Sequence, residues 1–203
     1  MNNGLLILEN NATASPMGEF LTRIKEQRDC DYHGVHEFFE FPLLNQDKEA
    51  HDLYMEVYFG KDGERFGCNF LQDKSLIRRY IRKCHQLGIK LSYYFIQSDY
   101  EREQWEGPLP KMTFVGYEVA EIPLDACAIF DLFIYERYNK YSCGLNKSGL
   151  FMEKTAAEAF LREYKEDLKA GTVGDGEAAL YVLCLNRVTE TDLIKVLDGS
   201  RKI

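Results

Sequence analysis

The sequence is short of nearly every local signature from which chemistry is usually read. It has no CxxC pair among its six cysteines, no GxSxG and no HExxH. These gaps remove a local redox or zinc-ribbon motif, the nucleophile elbow of a hydrolase, and the helix-borne zinc site of a metalloprotease. No stretch approaches the length of a bilayer-spanning helix. The apolar run at residues 5–8 (LLIL) is too short, and too poor in preceding positive charge, for an export signal. Reduced thiols in a cytoplasm are therefore expected, with Cys30, Cys68, Cys84, Cys127, Cys143 and Cys184 scattered as small hydrophobes. The acceptor patterns at Asn11 (NAT) and Asn146 (NKS) need secretion and are set aside.

Positive charge is also in deficit. Lys and Arg number 25 against 33 Asp and Glu, a net charge of −8. This disfavours broad binding to nucleic acid or anionic membranes, and favours a basic partner. What is present is ordinary core material. Apolar residues make up 45% of the 203-residue chain and aromatics 13%, enough for one folded domain without disulfide staples. We read 1–203 as a single α+β domain, with a polar stretch near 43–52 as the point of any subdivision.

Hydrophobic spacing divides the chain into interspersed strands and helices. Residues 5–8 read as a buried strand. Ser15 and Pro16 open a helix with Met17, Phe20, Leu21 and Ile24 on one face. In DLYMEVYF the alternation of Leu53, Met55, Val57 and Phe59 predicts a strand. With GKDG as the turn, and Phe66, Cys68 and Phe70 returning, it forms a central β-hairpin. Asp73 caps a helix with Leu76, Ile77, Tyr80, Ile81, Cys84 and Leu87 inward, stopped by Gly88.

KLSYYFIQ, MTFVGYEVA and ALYVLCLNRV are strands, whereas residues 124–135 fit strand or helix equally. Thr155 and Glu158 match a capping box for a helix with Ala157, Phe160, Leu161, Tyr164 and Leu168 inward. Thr189 starts a last helix with Leu193, Ile194 and Leu197. The expected fold is α+β: a mixed or mainly antiparallel sheet with a central β-hairpin and three to four helices packed on it.

Four places invite a functional reading. CDYHGVHEFFEF (residues 30–41) holds Cys30, His33 and His36, residue types that ligate zinc. On a strand, His33 and His36 face opposite ways, so a metal-assisted hydrolase is an alternative reading only. GTVGDGEA, with Gly171, Gly174 and Gly176, follows a helix rather than preceding one and carries two acids. It is a connector, and not a phosphate loop. The basic run Lys74, Arg78, Arg79, Arg82 and Lys83 lies on the outer face of its helix.

The fourth is SDYEREQWEGPLP between two strands. Asp99, Glu101, Glu103 and Glu106 surround Tyr100 and the only tryptophan, Trp105. Carboxylates steer basic partners and aromatics anchor them. YERYNKYS adds Tyr135, Tyr138 and Tyr141 as a second exposed aromatic group. The expected protein is thus a non-enzymatic, cytosolic protein-binding domain, of the kind of small bacterial immunity or inhibitor proteins, neutralising a basic partner. No cofactor, nucleic acid or membrane is expected. A small-ligand sensor domain is a further alternative.

Overall fold

The computed structural model describes residues 2–9, 47–60, 71–100, 105–121, 128, 132, 135–173 and 179–199. The helix expected after Pro16, Cys30, His33 and His36, the returning strand at 66–70, Gly174 and Gly176 lie outside them. In chain order the elements are β1 (Asn2–Glu9), α1 (Lys48–Phe59), α2 (Lys74–Gln86), β2 (Leu91–Ser98) and β3 (Met112–Glu121). A 3-10 helix (Glu136–Gly144), α3 (Lys154–Lys169), β4 (Leu180–Val188) and α4 (Glu190–Leu197) follow. The architecture is α+β, with one four-stranded sheet of order β1-β2-β4-β3, antiparallel at every pairing.

The two central strands are the most apolar, as strands covered on both faces should be. In β2 all of Ser92, Tyr93, Tyr94, Phe95 and Ile96 are buried. β4 inserts between β2 and β3, although it comes last in sequence. Phe95, Asn186 and Phe114 are register partners and share one face. Buried Asn186 is satisfied there by the Phe95 carbonyl (3.4 Å) and Gln97 Oε1 (3.3 Å). α2 covers the Tyr93 side of β2 with Leu76, Ile77, Tyr80, Ile81 and Cys84, all buried. The Asp73 cap is present, its Oδ1 accepting the N–H groups of Ser75 (2.8 Å) and Leu76 (3.0 Å). Gly88 takes φ +73°, the left-handed turn expected after the helix.

The strand expected over 53–59 is a helix. Two periods coexist in those residues. Leu53, Met55 and Val57 alternate, whereas Ala50, Leu53, Tyr54 and Val57 recur at i, i+3, i+4 and i+7. The helical set is the buried one, while Met55 is 38% exposed. Asp47 tips the balance by accepting the Ala50 N–H at 2.8 Å, so residues 48–52, read as polar linker, form the first turns of α1.

The Thr155 capping box is also absent. Phe151 exchanges both backbone hydrogen bonds with Tyr117 (2.7 and 3.0 Å). The chain leaves that bridge already turning, so Glu153 is the N-cap and Thr155 lies inside α3. Of 124–134, the described residues Ala128 and Leu132 are buried and helical.

β3 is an edge strand, and its exposed edge is covered rather than left open. Asn146 donates from Nδ2 to the Val115 carbonyl (2.7 Å), and its Oδ1 accepts the N–H groups of Ser148 and Leu150. The second acceptor pattern of the sequence is therefore a strand-edge clamp. The register slips between Phe114 and Gly116. A Cβ at Gly116 would lie 2.6 Å from Leu150 Cβ and 3.1 Å from the Phe151 carbonyl oxygen. Gly116→Ala should cost about 1–3 kcal/mol by forcing that packing apart. Gly144→Ala, whose new methyl meets nothing closer than 3.9 Å, should be close to neutral. Urea denaturation of the two variants checks the difference.

Candidate functional site

The excursion between β2 and β3 is held by the aromatics that were expected to face a partner. Tyr100 sets its ring edge-on to Tyr181 of β4, with centroids 5.4 Å apart, and its N–H donates to Ser98 Oγ. Trp105 is only 7% exposed. Its ring stands edge-on to Phe95 at 5.4 Å, its Nε1–H donates to the Pro108 carbonyl (3.0 Å), and Lys74 Nζ lies 5.5 Å from its centroid. The expectation of a surface tryptophan is corrected on that ground. Its large apolar area is worth more against Phe95 than in water, and the short return to Pro108 satisfies its one donor. Gly107 makes the return with φ +103°.

The acids behave otherwise. The Asp99 side chain is 78% exposed and 3.9 Å from Lys154 Nζ, and Glu106 is exposed. Glu101 and Glu103 fall outside the described residues. Between them, residues 99–106 carry four carboxylates and one guanidinium. The two described aromatics of this loop thus mount it, and the described acids face solvent.

The tyrosines of YERYNKYS are mounted in the same way. They lie three apart, and a 3-10 helix brings residues at that spacing onto one face. Tyr138 is fully buried, edge-on to Phe160 of α3 at 5.2 Å; Tyr135 and Tyr141 are half-buried. The exposed aromatic group expected here is therefore an internal seam, also for a physical reason. α3 offers Glu163 and Asp167, one turn apart, as acceptors. Tyr138 donates to Asp167 Oδ2 and Tyr141 to Glu163 Oε2, both at 2.6 Å. Each acid is matched by the residue before its tyrosine: Arg137 to Asp167 (3.2 Å) and Lys140 to Glu163 (2.7 Å). The RYNKY spelling thus encodes two repeated hydroxyl–carboxylate–cation sets.

These sets move the titration of their members. The Tyr138 hydroxyl, then Arg137, holds Asp167 below the ordinary carboxylate range. Lys140 and Tyr141 do the same for Glu163. Burial, then the Glu163 carboxylate, pushes the Tyr141 hydroxyl up to about 12. Elsewhere, Glu118 of β3 is a fully buried acid that the sequence reading did not single out; its Oε1 accepts the Val119 N–H at 3.3 Å.

The basic run of α2 is largely matched. Arg78 pairs with Asp198 (3.2 Å), Arg79 with Glu56 (3.1 Å), and Lys83 with Asp47 and Glu49 (3.1 and 3.0 Å). His85 Nε2 lies 3.2 Å from Glu190 Oε2, which also accepts the Tyr93 hydroxyl at 2.9 Å. Burial, then Glu190, holds that hydroxyl protonated far above its usual range. Among the described residues, no three His, Cys, Asp or Glu side chains are grouped to hold a metal, and no helix is long and apolar enough to cross a membrane. No protein-family model, curated protein or solved structure matches the chain.

The seam between the 3-10 helix and α3 carries its own pH signature. Its carboxylates have lowered folded values, so their contribution is present above the ordinary carboxylate range and is lost as pH falls through the lowered values. Tyr141 has a raised folded value, so its contribution is full below about pH 10 and is lost as pH rises towards about 12. Tyr138→Phe should cost about 1–3 kcal/mol at neutral pH and flatten the acid limb. Tyr141→Phe should flatten the alkaline limb. Urea midpoints across pH read both, and an alkaline limb unchanged in Tyr141→Phe contradicts the assignment.

Proposed function

We propose that this chain is a non-enzymatic, cytoplasmic protein-binding domain of the immunity or inhibitor type, which engages a basic partner through the acidic excursion between β2 and β3. The observation that carries this reading is the division of labour in the loop. Tyr100 and Trp105 tie its ends to Tyr181 and Phe95. Asp99 and Glu106 stay in water, with Glu101 and Glu103 between the two anchors in sequence. Pre-ordered loop ends lower the entropy lost on docking. Clustered carboxylates speed encounter with a positive surface and reject a negative one. In this reading the partner's basic side chains meet the acids, and Tyr100 and Trp105 act from below, as supports.

The test is charge reversal without loss of fold. Glu101, Glu103 and Glu106 together changed to lysine should leave the thermal unfolding midpoint within a few degrees, because charge changes at exposed positions such as Glu106 contribute little. The same variant should fail to retain a basic protein that the wild type captures from extracts and binds more weakly as salt rises. A partner held equally by both would refute the proposed surface.

A further inference from the structure

The aromatics of the acidic excursion are turned inward, which leaves its surface without the aromatic anchor that concentrates binding energy at interfaces. Among the described side chains, the most exposed aromatic is Phe114 of β3, at 41%. Further along the same strand Glu118, Val119 and Ala120 are buried.

Phe114 is flanked by the excursion on two sides. Through its register partner Asn186 it stands on the same face as Phe95, two strand spacings or about 10 Å away. Trp105, the foot of the excursion, sits on Phe95. Along β3, the Phe114 ring is tilted against that of Tyr117, with centroids 5.2 Å apart. Glu153, Lys154 and Glu158, at the start of α3, lie within electrostatic reach of the Tyr117 hydroxyl. Lys154 in turn links Glu158 (3.3 Å) to Asp99 (3.9 Å), the first residue of the excursion after β2.

The charge of this neighbourhood is negative. Residues 99–106 carry four carboxylates against one guanidinium, and Lys154 is outnumbered by Asp99, Glu153 and Glu158. Lys111, just before β3, is within electrostatic reach of Asp192 of α4. An exposed ring beside carboxylates attracts a cation. Arginine suits both, because its flat guanidinium stacks on an aromatic face while its edge donates to acids. A neutral apolar side chain would use the ring and leave the acids without a partner.

We propose that Phe114, backed by Tyr117, anchors an arginine side chain of the basic partner, its guanidinium stacked on the Phe114 ring within the field of the excursion's carboxylates. This site rests on the reading of the excursion as a docking surface, and adds to it the aromatic anchor that the excursion itself keeps buried.

The experiment is an NMR titration of the whole chain, at about 0.15 M salt, with acetyl-Gly-Arg-Gly-Arg-Gly-Arg-amide and with its lysine counterpart. The expected result is saturable shifts of the Phe114 ring protons, with the arginine peptide bound more tightly. Phe114→Leu keeps apolar surface but removes the ring face, and should weaken the arginine peptide about threefold to tenfold. Its urea midpoint should stay near that of the wild type, because the position is exposed. Reversal of Glu101, Glu103 and Glu106 to lysine should weaken binding as well. Weakening by charge reversal but not by Phe114→Leu overturns the anchor and leaves the acidic surface standing. Weakening by Phe114→Leu but not by charge reversal supports the anchor and refutes the excursion as its rim. No saturable shift at the Phe114 ring, or equal affinity for the two peptides, overturns the proposal.

Discussion

Helix α2 is the constraint on which the described fold depends. Five of its side chains are buried between the sheet and the neighbouring helices, and at about 1.5–3 kcal/mol for each fully buried large apolar side chain this far outweighs its ion pairs. Exposed pairs such as Arg79–Glu56 contribute at most about 1 kcal/mol each. What the pairs do is choose neighbours. Lys83, whose side chain is only 11% exposed, is held between Asp47 and Glu49 at the start of α1. Arg78 and His85 reach the two ends of α4, at Asp198 and Glu190. Burial fixes the helix and charge fixes what lies beside it. A run that reads as a basic patch is therefore mostly internal bookkeeping of charge, in keeping with the net negative chain.

The same separation explains what could be read in the sequence. Wherever one period dominated, the element was legible. β2 and β4 are apolar runs with turn signals, and Asp73 and Thr189 are caps whose side-chain oxygens accept N–H groups in the first turn. Wherever two periods overlapped, the wrong one could be chosen. Residues 53–59 satisfy both alternation and helical spacing, and only the Asp47 cap and the burial of Ala50 and Tyr54 separate them. Thr155 illustrates a different failure. Its capping box is a local preference, overridden by the long-range bridge between Phe151 and Tyr117.

In the excursion between β2 and β3 the exposure of Asp99 and Glu106 was legible, and the placement of the aromatics was not. Exposed acids such as Asp99 and Glu106 need no partner, so their placement follows from composition. An aromatic residue in a loop can turn outward or plug the core, and the choice depends on what lies beneath. Phe95 lies beneath Trp105, and α3 lies beneath Tyr138. The YxxYxxY spacing did carry a signal, since three-residue intervals stack in a 3-10 helix. It becomes informative only once Glu163 and Asp167, an i,i+4 pair on another helix, are known to face it.

The central claim is that the acidic excursion stands on buried aromatic supports, and the single tryptophan makes it directly measurable. Emission from Trp105 in the native chain should be blue-shifted and resist quenching by iodide, a charged quencher that does not enter the core. Unfolding in urea should then shift it to the red and expose it. Native emission already at the position of a solvated indole, quenched as readily as the unfolded chain, would contradict the account, because the aromatic would then be part of the surface it is said to support.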